Sequence, residues 1–114
     1  MKTFLVAVMI LLSATIALGA ECETITVADT AIGFTTATYQ VPVGYTNVEA
    51  FCSLETAQIR IFWDDDTSPT SSVGIVMNAG NTFKMNNNYD MPYFRAIRTG
   101  ASSGTLTCCY TFTR

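Results

Sequence analysis

From residue 105 to 113 the chain alternates without a break. Leu106, Cys108, Tyr110 and Phe112 share one face, and Thr105, Thr107, Cys109, Thr111 and Thr113 share the other. A period of two with one apolar side predicts a half-buried β-strand. Similar pieces recur upstream. Residues 24–28 read as a first strand, and 34–41 alternate more loosely until Pro42-Val43-Gly44 breaks them. Strands over 47–54 and 57–63 follow; in the second, Ala57, Ile59, Ile61 and Trp63 form an inward row against Gln58, Arg60 and Phe62. Segments 73–77, 82–85, 93–99 and 106–113 complete the set, separated by turns rich in Gly, Asn and Asp. No stretch after residue 21 carries a helical apolar period. Seven or eight short strands at this spacing predict an all-β fold, a single antiparallel β-sandwich of jelly-roll type.

Residues 1–20 break the pattern and read as a secretory signal peptide. Lys2 supplies the basic start, 4–12 are all apolar, and Ala17-Leu18-Gly19 offers small residues for cleavage after Gly19 or Ala20. The β-sandwich domain is then 21–114, with no stable membrane anchor after cleavage. Export makes disulfides the natural use of Cys22, Cys52, Cys108 and Cys109. Consecutive strand residues point to opposite faces, so Cys108 lies inward and Cys109 outward. Cys52 shares a face with Val48, Ala50 and Leu54, whereas Cys22 sits with Thr24 and Thr26. Like faces predict Cys52–Cys108 and Cys22–Cys109. A four-cysteine zinc site fits poorly, because no C-x-x-C spacing occurs.

Composition narrows the function. Of 114 residues only 13% are charged, and the formal charge is −3, or −4 without Lys2. An acidic balance argues against nucleic acid as a partner. The chain has no histidine, which removes histidine bases, Ser–His or Cys–His nucleophiles and histidine metal ligands. A carboxylate pair drawn from Asp64, Asp65, Asp66, Asp90, Glu49 and Glu55 is the remaining hydrolytic option, and consecutive aspartates in one loop suit it badly. The chain is read as a non-enzyme with no cofactor and no metal. Asp64-Asp65-Asp66 lacks the alternating spacing and distal glutamate of a calcium loop.

Binding candidates remain. Aromatic rings beside Asp and Asn suit a glycan, which points to Asp64, Asp65, Asp66, Asn87, Tyr89 and Tyr93 in loops 64–72 and 86–93. Trp63 falls on the inward row and is read as core. Phe51 and Phe62 fall on outward rows, where large rings suggest a contact with another subunit or protein partner.

The strand Ile59-Arg60-Ile61-Phe62-Trp63, the loop Asp64-Asp65-Asp66-Thr67-Ser68-Pro69-Thr70, and Val73-Gly74 stand in sequence. Asn78-Ala79-Gly80, Phe94-Arg95-Ala96-Ile97-Arg98 and Ser103-Gly104-Thr105-Leu106 follow them. Over residues 24–112 this series resembles small virion-associated β-sandwich proteins of tailed phages. The resemblance implies a structural role on a particle surface, such as capsid or tail decoration, and supplies no active-site residues. The leader and the four cysteines set this chain apart from that pattern. The expectation is an exported structural protein acting by surface or subunit assembly, secreted or at a virion surface. A secreted carbohydrate- or protein-binding module is the alternative.

Overall fold

The closing strand β7 (Gly104–Thr113) lies between β1 (Ala20–Val27) and β2 (Asn47–Thr56), antiparallel to both. This computed structural model describes residues 20–86 and 88–114; Asn87 and all but the last residue of the expected leader lie outside them. β5 (Thr82–Met85) pairs with β2 and completes a four-stranded sheet, A, in the order β1-β7-β2-β5. The second sheet, B, has the order β4-β3-β6, built from β3 (Ile59–Trp63), β4 (Ile75–Met77) and β6 (Phe94–Arg98). The protein is an all-β sandwich, with seven strands among the described residues.

The core is the apolar half of each alternating strand. β7 contributes Leu106, Cys108, Tyr110 and Phe112, and β2 contributes Val48, Ala50, Cys52 and Leu54. Sheet B answers with Ile59, Ile61, Phe94 and Ala96. Across the layers, Phe34 stacks on Phe94 with centroids 4.1 Å apart, and Phe83 stacks on the same ring at 5.3 Å. Large rings of this kind bury 150–250 Å² each, so a thin sandwich gains much from this column.

Both disulfides lie inside sheet A. Cys22 is directly opposite Cys109 across the β1–β7 ladder and bonded to it; Cys52 is opposite Cys108 across β7–β2 and likewise bonded. Neighbouring residues of one strand therefore tie it to both flanking strands, one bond on each side of the sheet. Cys52 and Cys108 are completely buried, whereas Cys22 is exposed and Cys109 half-buried.

Several segments depart from the pattern read in the sequence. Residues 34–41 contain no strand. Phe34 drops into the core, and the Glu23 carboxylate accepts hydrogen bonds from the Thr35 amide (3.1 Å) and hydroxyl (2.5 Å). The chain then makes one helical turn, α1 (Thr36–Tyr39). A contact from twelve residues upstream thus overrides weak local alternation. Ala57 leaves the inward row as well: it occupies the β2–β3 turn with φ 58°, a left-handed conformation costly for a residue with a Cβ.

The loop after β3 contains a buried residue, Pro69, and folds back on its own sheet. Arg60 donates from Nε to the Ser71 carbonyl (3.1 Å) and from Nη1 to that of Gly74 (2.8 Å). Gly74 sits at φ +126°, where an added Cβ would meet Pro69 Cβ at 3.1 Å and the Ile61 carbonyl at 3.2 Å. Only glycine suits both the angle and the approach, which delays the start of β4 to Ile75.

Thiol exchange requires a thiolate to reach a disulfide sulfur. Under limiting reductant followed by alkylation, peptide mass mapping is expected to find Cys22 and Cys109 labelled before Cys52 and Cys108. Equal labelling of both pairs at every time point would mean that strand opening, rather than accessibility, governs reduction. Replacing Cys22 and Cys109 by serine is expected to lower stability by about 2–5 kcal/mol in urea unfolding.

Candidate functional site

Two surfaces draw the sequence-derived candidates. On the outer face of sheet A, Phe51 of β2 stands 53% exposed. Its register neighbours are Cys109 on β7 and Lys84 on β5. Lys84 reaches Glu49, two residues before Phe51 on the same face, at 3.3 Å. Around this centre lie hydroxyls: Thr24 opposite Thr107, Ser53 opposite both Thr107 and Thr82. The face thus has an aromatic centre beside a disulfide, a carboxylate and an ammonium at one flank, and a threonine-rich remainder. Phe62 is different. It is half-buried on sheet B, opposite Arg95, with its ring 6.3 Å from that of Trp63.

The second surface is the end of the sandwich where β3 stops, and there the acidic loop and the tyrosine loop come together. Asp64, Asp65, Asp66, Thr67 and Ser68 line a recess of ≈ 130 Å³ whose far wall is Tyr93 and Arg95. Tyr89, 68% exposed, holds its ring 5.5 Å from that of Tyr93. Electrostatic repulsion from Tyr89, then desolvation, then the Asp65 carboxylate raise the Tyr93 phenol above its ordinary pKa. Asn87 lies outside the described residues. Its neighbour Asn88 anchors this loop: its side chain accepts from the Val48 amide and donates to the Thr46 carbonyl, each at 2.9 Å. Arg95 is held by the carbonyls of Pro92 (2.9 Å) and Phe94 (2.6 Å), so its guanidinium braces the turn at Met91–Tyr93.

The carboxylates of Asp64, Asp65 and Asp66 lie within 4.8 Å of one another, all on exposed residues. Hydrogen bonding within the turn accounts for their arrangement. The Asp66 amide donates to Asp64 Oδ1 at 3.3 Å, and this bond, then one with Asp65, holds the Asp64 carboxyl below the usual carboxylate range.

Trp63 is a correction to the sequence reading. It continues the inward row of Ile59 and Ile61, yet is 36% exposed because β3 ends at the open mouth of the sandwich. With Phe83, Met85, Asn86, Asp90 and Lys84 it lines a second cleft of ≈ 200 Å³. Alternation identifies the row but not where the opposing sheet stops.

Glu23 lies one residue before the first strand read from the sequence, whereas β1 begins at Ala20 and carries it on the row of Ile25 and Val27. Its carboxylate, on the inner face of β1, accepts the Tyr110 hydroxyl as well as both Thr35 groups. Burial first, and then this bond to Glu23, push the Tyr110 phenol well above its ordinary pKa. The cluster carries no nucleophile or base poised against a cavity, and it acts to hold residues 34–39 on β1.

No protein-family model matches the chain, and no curated protein matches it. Among solved structures it is similar to a chain from work titled "Bacillus endospore appendages form a novel family of disulfide-linked pili". The two share 15% identity at a TM-score of 0.43, over 83% of this chain and 86% of that one. That neighbour is a pilus protein, not a phage protein.

A carboxyl with a depressed folded-state pKa contributes order above its unfolded pKa and loses it as pH falls through the folded one. In an NMR titration the Asp66 amide is therefore expected to move with a midpoint below 3.8, the ordinary aspartate value. Asp64→Asn should abolish that transition. A midpoint at or above 3.8 would show that the turn does not hold Asp64 ionised.

Proposed function

We propose that the chain is an exported, non-enzymatic structural protein whose copies assemble through the outer face of sheet A. One observation carries this reading: the two sheets are finished differently. Sheet B has its own loop, with Pro69 and the carbonyls of Ser71 and Gly74, drawn over β3. Sheet A is left bare around a half-exposed phenylalanine.

The surroundings of Phe51 favour a second copy as occupant. Glu49 and Lys84 lie on the same side of the ring and carry opposite charges. A two-fold axis near Phe51 brings the Glu49 of one copy toward the Lys84 of the other, the self-complementarity an isologous contact needs. Covering two half-exposed phenylalanines contributes about 2–3 kcal/mol by area, and the threonine-rich rim supplies hydrogen-bonding groups. The buried and exposed disulfides, together with the leader-like residues 1–20, support a location outside the cytoplasm. Assembly on a virion surface is the finer form of this proposal and rests on the phage-protein resemblance alone.

The test is the sedimentation of the oxidised protein over a range of concentrations. Self-association is expected for the natural sequence. Phe51→Asp should abolish it while circular dichroism and melting stay unchanged. Val43→Asp, at a loop residue that is fully exposed, should leave it intact. A natural sequence that remains monomeric throughout, or equal loss in both variants, would refute this interface.

A further inference from the structure

We propose that the cleft at the end of β3 binds a neutral sugar ring, with Trp63 as the stacking platform and Asn86 and Asp90 as partners for its hydroxyls. The platform belongs to sheet B and the bare face around Phe51 to sheet A, with Lys84 bordering both.

Three features carry it. The first is the placement of the indole. Trp63 pairs in register with Phe94, whose ring stacks with those of Phe34 and Phe83. The platform therefore springs from a strand position fixed beside the aromatic cluster of the core, and it is 36% exposed. A sugar presents a C–H face to such a ring and an edge of hydroxyls away from it, the same division between apolar body and polar tip that this cleft offers.

The second is size. A cavity of ≈ 200 Å³ lies below the 300–1,000 Å³ typical of drug-sized ligands and suits one ring rather than a peptide segment.

The third is charge. Asp90 and Lys84 both line the cleft, which therefore carries no net formal charge; Asp64, Asp65 and Asp66 line the neighbouring recess. The nearest cations are already committed, Lys84 to Glu49 and Arg95 to backbone carbonyls. A lining with one carboxylate, and one ammonium already paired, offers no uncompensated cation to an anionic ligand such as sialic acid or phosphate, and it presents acceptors to neutral hydroxyls. Trp63 and Phe83 are the aromatic residues that line the cleft; Tyr89, Tyr93 and Phe62 do not line it, so it forms no aromatic cage for a quaternary ammonium. The support behind the polar groups is preorganised. Asn88 pins the loop to the start of β2, and the turn at Met91–Tyr93 fixes Asp90 through the Tyr93 amide, which donates to the Asp90 carbonyl at 3.0 Å.

The protein contains one tryptophan, so its fluorescence reports on this cleft alone. The full oxidised protein is titrated with glucose, galactose, mannose, N-acetylglucosamine and N-acetylgalactosamine, and separately with sialic acid and choline. A saturable change in Trp63 emission is expected for at least one neutral sugar, with a dissociation constant on the order of 1 mM. Asn86→Ala and Asp90→Asn should each weaken it at least tenfold, read by the same emission. Trp63→Phe, followed by NMR shifts of the β5 amides, should weaken it less than Trp63→Ala. No saturable response to any neutral sugar would overturn the proposal. So would a response confined to sialic acid or choline, or one that survives both Asn86→Ala and Asp90→Asn.

Discussion

A strand that exposes successive side chains on opposite faces can be bonded to two different neighbours by two adjacent cysteines, and β7 is built on that constraint. Cys108 faces the core and joins β2; Cys109 faces outward and joins β1. Both bonds fall between residues directly opposite in the ladder, so they lock register as well as proximity. In sheets a slip by one residue exchanges the buried and solvent faces of a whole strand. Here such a slip would pull the cysteines out of opposition and turn Leu106, Tyr110 and Phe112 to solvent. Hydrophobic pattern and covalent bonds specify the same alignment. For a small domain with a limited core, that agreement matters more than either contribution alone.

The asymmetry of the two sheets follows from this arrangement. Sheet A is four-stranded and tied by both disulfides, and none of the described loops is drawn over its outer face at Phe51. Sheet B is three-stranded, and β4 has only three residues. Its outer surface is covered at β3 by the loop that Arg60 draws in through two backbone carbonyls and that Gly74 admits to close contact, while Val73, Ile75 and Val76 at the β4 edge stay exposed. The polar cluster of Glu23, Thr35 and Tyr110 performs a similar service between β1 and α1. A carboxylate that receives three hydrogen bonds can be brought to the inner side of an edge strand without the penalty of an unpaired buried charge.

The end of the sandwich is shaped by termination rather than by any single residue. β3 stops at Trp63, β5 at Met85, and β6 starts only at Phe94. The inner rows of both sheets therefore end in a mouth instead of a closed core. Loops 64–68 and 88–93, distant in sequence, meet there because β3 and β6 are hydrogen-bonded neighbours, with Trp63 opposite Phe94.

Alternation by itself determined the all-β class, the inward rows of β2 and β7, the inward Ile59 and Ile61 of β3, and the opposite facing of Cys108 and Cys109. Each of these follows from a period of two and a preference of apolar side chains for the interior. The residues of the candidate sites could be named from composition, but not their company. That Asp65 stands near Tyr93 depends on strand order in sheet B, which local pattern does not encode. The exposure of Trp63 depends on where the opposing strands end. The helical turn at Thr36–Tyr39 and the folded-back loop after β3 were decided by single long-range contacts, from Glu23 and Arg60. One charged side chain seeking hydrogen-bond partners outweighs a weak local preference, and where it finds them is settled only once the sheets have formed.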